Sequence, residues 1–100
     1  MIVKGTTPTI LYTFSKINHL TITDGVFVMK QGCKTVIEIP LEDATVDSDG
    51  VSFTLTQEQS LKLASGQKAR YMFDYMIGST RAQTNVTDEY IGEEGADYVI

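Results

Sequence analysis

The sequence has a single cysteine, Cys33, a single histidine, His19, and no tryptophan. One cysteine cannot form an intramolecular disulfide, so the chain is not a disulfide-stapled secreted scaffold and is expected in the cytoplasm. Zinc sites need sets of Cys and His that this composition lacks. Nucleophilic catalysis would have to use His19, which has no neighbouring nucleophile and is predicted to be an exposed loop residue. We therefore expect no enzyme activity.

Long apolar runs and clusters of basic residues are also missing. No apolar stretch approaches the roughly 20 residues of a membrane span. No apolar region of signal-peptide length follows the first five residues. Eight Lys and Arg are scattered through a chain of net charge −5. Because nucleic acid and anionic membranes attract dense basic surfaces, neither is expected as a partner.

Loops that would hold a phosphate or a metal are incomplete. The sequence has no glycine-rich phosphate-binding pattern. Residues 45–50 imitate part of a calcium loop, but Thr45 and Thr56 stand where its first and last carboxylates belong. We interpret residues 47–50 as a hairpin turn and expect no metal, cofactor or small-molecule substrate. Cys33 follows Gly32 at a second hairpin tip, where an exposed free thiol is expected.

Short alternating segments bounded by turn residues dominate the chain and predict strands. A Thr56–Gln59 capping box predicts about two helical turns, which end at Gly66. We predict one domain over 1–100, an all-β antiparallel immunoglobulin-like sandwich of about seven strands with one short helix; a small barrel is the alternative. Asp24-Gly25 is interpreted as a turn. The predicted strands cover residues 9–14, 26–31, 34–39, 44–46, 51–55, 68–77 and 81–87.

The longest predicted strand, residues 68–77, has two different faces. One face carries an aromatic stripe and consists of Ala69, Tyr71, Phe73, Tyr75 and Ile77. This composition favours a sandwich core over a sugar-binding platform. The other face carries a mixture of methionine and charge, at Arg70, Met72, Asp74 and Met76. Methionine on an outer sheet face is typical of adaptable contact surface, so these residues form a candidate interface. The alternative is that they belong to the core of a second sheet.

The C-terminal segment, residues 88–100, is acidic and glycine-containing before an apolar end. That end, Tyr98, Val99 and Ile100, is a second candidate contact. The sequence leaves two alternatives open, a flexible assembly arm and a segment that folds back on its own sheet.

Several stretches together resemble a family of small prophage proteins of Gram-positive gut bacteria. These are Gly5-Thr6-Thr7-Pro8-Thr9-Ile10, Val28-Met29-Lys30-Gln31-Gly32, Thr54-Leu55-Thr56-Gln57-Glu58 with Leu61, Asn85-Val86, and Val99-Ile100. Members are similar to the N-terminal immunoglobulin-like domain of phage baseplate upper proteins. The resemblance covers nearly the whole chain through turns, caps and strand alternation. The family usually has Gln and Arg where this chain has Met72 and Asp74, so no functional residue is carried over.

The resemblance implies a non-enzymatic structural subunit of a bacteriophage or prophage particle, in the tail or baseplate. Its expected partners are other virion proteins and itself, first in the host cytoplasm and then in the virion. A head, neck or capsid-decorating protein and a binding module for surface glycan or a host protein are the alternatives. Exposed coplanar aromatic rings would favour glycan binding. A flat apolar patch or an open sheet edge would favour assembly.

Overall fold

The computed structural model describes residues 2–14 and 18–92, which form two β-sheets and one short helix. The elements are β1 (Ile2–Val3), β2 (Thr9–Tyr12), β3 (Asp24–Gln31), β4 (Lys34–Pro40), β5 (Thr45–Asp47), β6 (Gly50–Thr54), α1 (Gln57–Leu61), β7 (Lys68–Ile77), β8 (Thr80–Gln83) and β9 (Thr87–Gly92). Two 3₁₀ turns, His19–Thr21 and Leu41–Asp43, connect strands. The predicted all-β class is confirmed.

The strands form a sandwich-like pair of sheets. The larger sheet has six strands in the order β1-β9-β7-β3-β4, with β8 also paired to β7, and the smaller has the order β2-β6-β5. All pairs are antiparallel except β1 with β9. The inner faces of the two sheets enclose one apolar core, so the sandwich prediction holds.

Aromatic rings join the two sheets at the centre of the core. Phe53 of the smaller sheet packs on Phe27 and Phe73 of the larger sheet, with ring centroids 5.1 and 5.0 Å apart. Tyr12 adds a contact with Phe73 at 5.7 Å. Apolar side chains complete the core, at Ile2, Met29, Ile37, Ile39, Val51, Leu55, Leu63, Ala69, Tyr71 and Ile91. The alternation predicted for β6 and β7 is therefore correct in register.

The capping box at the start of α1 forms as predicted. The Thr56 hydroxyl accepts from the Gln59 amide, and the Gln59 side chain accepts from the Thr56 amide. The helix spans only five residues and ends at Leu61, well before Gly66, so the two predicted turns are too many. Within residues 2–14 and 18–92 no helix is long and apolar enough to cross a membrane.

One buried hydroxyl ties the N-terminal segment to α1. Ser60 has no exposed surface. Its Oγ accepts from the Gly5 amide at 3.0 Å and lies 2.7 Å from the Thr6 carbonyl oxygen, to which it donates. Because a buried polar group is costly without partners, this pair of bonds places the turn between β1 and β2 over the end of the sandwich.

The prediction of a turn at Asp24-Gly25 is wrong, because both residues lie inside β3. A Cβ at Gly25 would stand 2.6 Å from a ring carbon of Phe73. Glycine is therefore present because the Phe73 ring passes over the backbone at this point. A glycine required by such a close approach and a glycine required by a turn cannot be distinguished in the sequence alone.

The prediction of a single strand over 81–87 is also wrong. Gln83 of β8 pairs with Asp74, and Thr87 of β9 pairs with Tyr71, so residues 84–86 oppose only residues 72–73. One extra residue against the partner strand is a β-bulge. Thr84 stabilises it, since its amide donates to the Phe73 carbonyl at 3.0 Å and its hydroxyl accepts from the Phe73 amide at 2.9 Å.

Candidate functional site

The outer face of the larger sheet is the surface that the sequence marked at Arg70, Met72, Asp74 and Met76. The smaller sheet packs on the opposite face, so these side chains do not belong to a second core. Met72, Asp74 and Met76 are half-buried and Arg70 is exposed. Cross-strand register adds the side chains that stand beside them on β3, namely Lys30, Val28, Val26 and Asp24. We call this set of eight residues the outer face.

The outer face has an apolar middle. Val28 lies directly opposite Met72, and Val26 lies one step along the same strand. All three are half-buried although they point away from the core. Val86, on the bulge beside Met72, exposes half of its surface. A contiguous apolar centre with a charged rim is the composition of a contact surface.

Charge divides the outer face into a basic end and an acidic end. Lys30 lies directly opposite Arg70, and like charges in that position destabilise a sheet. Among the described residues neither has a carboxylate within ion-pair distance. Asp24 and Asp74 lie toward the other end, where Asp74 accepts from Arg81 at 3.5 Å. That ion pair contributes little stability, because the Arg81 side chain is 76% exposed.

A shallow depression marks each end of the outer face. The depression at the acidic end has a volume of about 220 Å³ and is lined by Asp24, Gly25, Val26, Asp74, Tyr75, Met76 and Arg81. The depression at the basic end, of about 390 Å³, is lined by Lys30, Gly32, Cys33, Arg70, Met72 and Val86. Both are open to solvent, so they suit contact with another surface better than enclosure of a small ligand.

The outer face of the smaller sheet has a different chemistry. Hydroxyl side chains dominate it, at Thr9, Thr45, Ser52 and Thr54. Thr9 and Thr54 place their hydroxyl oxygens 2.8 Å apart, one bonded to the other. The Ser52 hydroxyl lies 3.5 Å from the Thr45 carbonyl oxygen, to which it donates. This set of residues lacks the methionine and valine of the larger sheet. The two faces of the sandwich are therefore not equivalent.

Within residues 2–14 and 18–92, strand β2 pairs only with β6, so its other edge is open. The Leu55 amide donates to the Pro8 carbonyl, which makes residues 8, 10 and 12 the hydrogen-bonded positions of the β2–β6 pair. The amide and carbonyl groups of Thr9 and Leu11 consequently point to the free edge. Leu11 is 51% exposed. An edge of this kind is able to pair with another chain.

The edge of the larger sheet that β4 forms is better protected against pairing with another chain. Its edge strand β4 carries a register irregularity opposite Met29 and Lys30, and it ends at Pro40. Charged side chains, Lys34 and Glu38, stand exposed along it. Bulges, charges and proline are the devices that discourage edge pairing.

The aromatic stripe of β7 lies inside the molecule. Tyr71 and Phe73 belong to the core, and Tyr75 packs against Phe14 with ring centroids 5.5 Å apart. Tyr90 is the aromatic residue with the greatest exposure among the described residues, at 49%. No exposed coplanar aromatic cluster forms in residues 2–14 and 18–92, so the feature that would favour glycan binding is missing from that part of the chain.

Burial changes the acidity of two tyrosines on the inner faces. It raises the pKa of Tyr12 to about 12, and the Thr84 hydroxyl offsets part of that rise. The Tyr12 hydroxyl is buried between the sheets. Burial likewise raises the pKa of Tyr71, and the nearby Glu89 carboxylate adds to the rise. Both hydroxyls are therefore neutral at physiological pH and offer no base.

His19 is not the exposed loop residue that the sequence predicted. It is half-buried at the start of a 3₁₀ turn. The ring stacks on Phe14 at a centroid distance of 6.0 Å, and Nε2 lies 2.6 Å from the Asp47 carbonyl oxygen. Its position is explained by a structural role, because it holds the connection after β2 against the β5–β6 turn.

The two hairpin tips are as predicted. Gly32 has a φ of +62°, and Cys33 beside it is an exposed free thiol. At the second tip, the Asp47 carboxylate accepts from the Asp49 amide at 2.9 Å. This bond is that of an Asx turn, which accounts for Asp47 at the hairpin tip.

The C-terminal prediction is only partly covered by the structure. Residues 88–92 belong to β9 and pair with β7 and β1, so this part of the segment is an integral strand. Tyr98, Val99 and Ile100 lie outside the described residues. The contact residues that sequence reasoning missed are those of β3, whose apolar residues on both faces gave no sign of which would face outward.

Comparison of the chain with protein-family models, curated proteins and solved structures gave no match.

Proposed function

We propose that the chain is a non-enzymatic structural subunit of a bacteriophage or prophage particle, in the tail or baseplate. It assembles in the host cytoplasm with virion proteins, copies of itself included, through the outer face of the larger sheet. The observation that carries this proposal is the apolar middle of that face, formed by Val26, Val28 and Met72 between charged ends. Half-buried apolar groups on a free sheet face stabilise a subunit once a neighbour covers them.

The strand order supports an immunoglobulin-like sandwich, the fold that the phage resemblance implies. With β2 as strand B, the smaller sheet β2-β6-β5 has the order B-E-D. The series β9-β7-β3-β4 then has the order G-F-C-C′ of a variable-type domain. The core differs from that of antibody domains, because stacked aromatic rings occupy the space between the sheets where those domains place a disulfide.

The open edge of β2 supports assembly over glycan binding. Its unpaired backbone groups at Thr9 and Leu11 offer a second place for a neighbouring subunit. The Tyr71–Phe73 stripe, the alternative platform for a sugar, is buried. Both features favour contact with protein.

The direct test is the composition of purified particles. Particles are induced from the bacterium that encodes the chain, purified on a density gradient and quantified by mass spectrometry. We expect the chain in fixed ratio to tail proteins, and in the tail fraction after heads and tails are separated. Enrichment with heads would move the subunit to the head or neck, and absence from all particles would contradict the proposal.

A further inference from the structure

We infer that the outer face of the larger sheet is self-complementary and that two copies of this chain pair through it about a two-fold axis. The inference rests on the proposed function, since it names the partner of the same surface. Lys30 and Arg70 form its basic end, while Asp24 and Asp74 lie toward its acidic end. A surface with opposite charges at its two ends matches a reversed copy of itself.

Strand geometry places these charges in register. Successive outward residues on a strand are about 6.7 Å apart. The outer face therefore consists of rows in the order Lys30/Arg70, Val28/Met72, Val26/Asp74 and Asp24/Met76. A two-fold axis that crosses the strands close to the Val28/Met72 row reverses this order on the partner. The Lys30/Arg70 row of each copy then meets the Val26/Asp74 row of the other, which pairs Arg70 with Asp74, and the Val28/Met72 rows meet each other.

The like-charge pair is explained by such a partner. Lys30 opposite Arg70 is unfavourable within one copy. Asp88 lies opposite Arg70 on β9, but among the described residues no carboxylate lies within ion-pair distance of either cation. Carboxylates of a second copy would remove that repulsion. The net charge of −5 does not oppose close approach here, because this sheet face balances Lys30, Lys68, Arg70 and Arg81 against Asp24, Glu38, Asp74 and Asp88.

The available area predicts a weak dimer. Ten residues of β7 extend about 33 Å and four neighbouring strands about 19 Å, so each copy offers roughly 600 Å². The sum for two copies, roughly 1,200 Å², lies at the lower limit of specific interfaces. A dissociation constant in the range of about 10–100 µM is the corresponding expectation. Salt should weaken the dimer, because opposite charges pair across it.

The test is sedimentation velocity of the full chain from about 5 µM to about 500 µM, which brackets the expected constant. The mass should rise from 11.1 kDa toward twice that value. Arg70→Glu alone and Asp74→Arg alone should each lower association at least tenfold. An equimolar mixture of the two variants should restore it, because both cross-interface contacts then pair opposite charges. Lys62→Glu and Glu42→Lys, exposed positions off this face with the same charge changes, should behave as wild type.

Three outcomes would overturn the inference that the outer face forms a dimer. A wild-type chain that stays monomeric throughout the range excludes self-association. A dimer that the charge reversals leave unchanged uses another surface. Failure of the mixture to associate shows that Arg70 and Asp74 do not meet across the interface. The proposed function is tested separately: if the chain is monomeric and Arg70→Glu still lowers its incorporation into particles, the proposed function stands and the outer face binds a different virion protein. Absence of the chain from particles overturns the proposed function itself.

Discussion

The ring of Phe53 meets the ring of Phe73 edge-on at a centroid distance of 5.0 Å, and this contact joins the two sheets. Neither side chain has exposed surface. Phe53 also stacks on Phe27, so it touches both central strands of the larger sheet. The outer face lies directly over this cluster, because β3 and β7 carry their outward residues and their core rings on the same backbone.

Replacement of Phe53 by alanine should therefore lower the free energy of unfolding by about 3–5 kcal/mol, the usual loss for a buried aromatic ring. Urea denaturation followed by circular dichroism measures it. Leu11→Ala is the matched control, because Leu11 lies on the neighbouring strand and is 51% exposed. Its cost should stay below about 1 kcal/mol. Equal losses at the two positions would show that the assignment of inner and outer faces is wrong.

The capping box gives a smaller prediction. Thr56→Ala should cost about 1 kcal/mol, since the Gln59 amide loses its acceptor at the start of α1. Thr56→Ser keeps the hydroxyl and should restore most of that stability. Chemical denaturation of the three proteins compares them. If alanine and serine behave alike, the hydroxyl does not cap the helix.

Among the glycines at positions 25, 32, 50, 66 and 78, Gly50 leaves the least room for a side chain. Its φ is +145°, and an added Cβ would overlap the carbonyl oxygen of Tyr12 across the β2–β6 pair. We expect Gly50→Ala to cost about 3 kcal/mol or more, from backbone strain and overlap together. Gly32→Ala is the control, because its φ is also positive but no atom lies within 4 Å of the added carbon. It should cost about 1 kcal/mol, and comparable melting temperatures for the two variants would contradict the difference.

Alkaline pH should unfold the protein through Tyr12 and Tyr71. Burial raises the Tyr12 pKa from 10.0 to about 12, and the Tyr71 pKa is raised as well. Between pH 10 and about pH 12 the unfolded chain releases tyrosine protons that the folded chain keeps. The stability that the two protonated hydroxyls contribute is therefore complete below pH 10 and is lost as pH rises through about 12. Urea midpoints from about pH 8 to about pH 12 measure the slope. Tyr12→Phe should make this slope shallower, whereas Tyr90→Phe, at an exposed position, is the control and should leave it unchanged. An unchanged slope in both variants would show that Tyr12 does not cause the loss of stability at alkaline pH.

The sequence predicts this fold well where side chains alternate and poorly where the backbone is irregular. Val51, Phe53 and the capping box at Thr56 are local signals, so periodicity alone places them correctly. The bulge at Thr84 depends on hydrogen bonds with Phe73, eleven positions away, and no local pattern encodes it. Strand β1 has only two residues, too few to show alternation, and it exists because β9 pairs with it.

Only the β7 half of the candidate surface could be predicted from the sequence. Residues of β7 alternate clearly, so Met72 and Asp74 could be assigned to one face from sequence. On β3, apolar residues occupy both faces, Val26 and Val28 outside and Phe27 and Met29 inside, so alternation of polar and apolar residues does not distinguish the two faces. The pairing of Lys30 with Arg70 depends on strand register between segments forty positions apart, which a single sequence does not reveal.

Methionine oxidation tests most directly whether the outer face is the assembly contact. Met72 and Met76 are half-buried on that face, whereas Met29 has no exposed surface and serves as an internal control. Dilute hydrogen peroxide converts accessible methionine to its sulfoxide, and peptide mass spectrometry gives the rate at each position. We expect Met72 and Met76 to oxidise several-fold more slowly in purified particles than in the isolated chain, with Met29 slow in both. Equal rates at Met72 and Met76 in the free and the assembled chain would show that the outer face stays uncovered and would contradict the proposed contact.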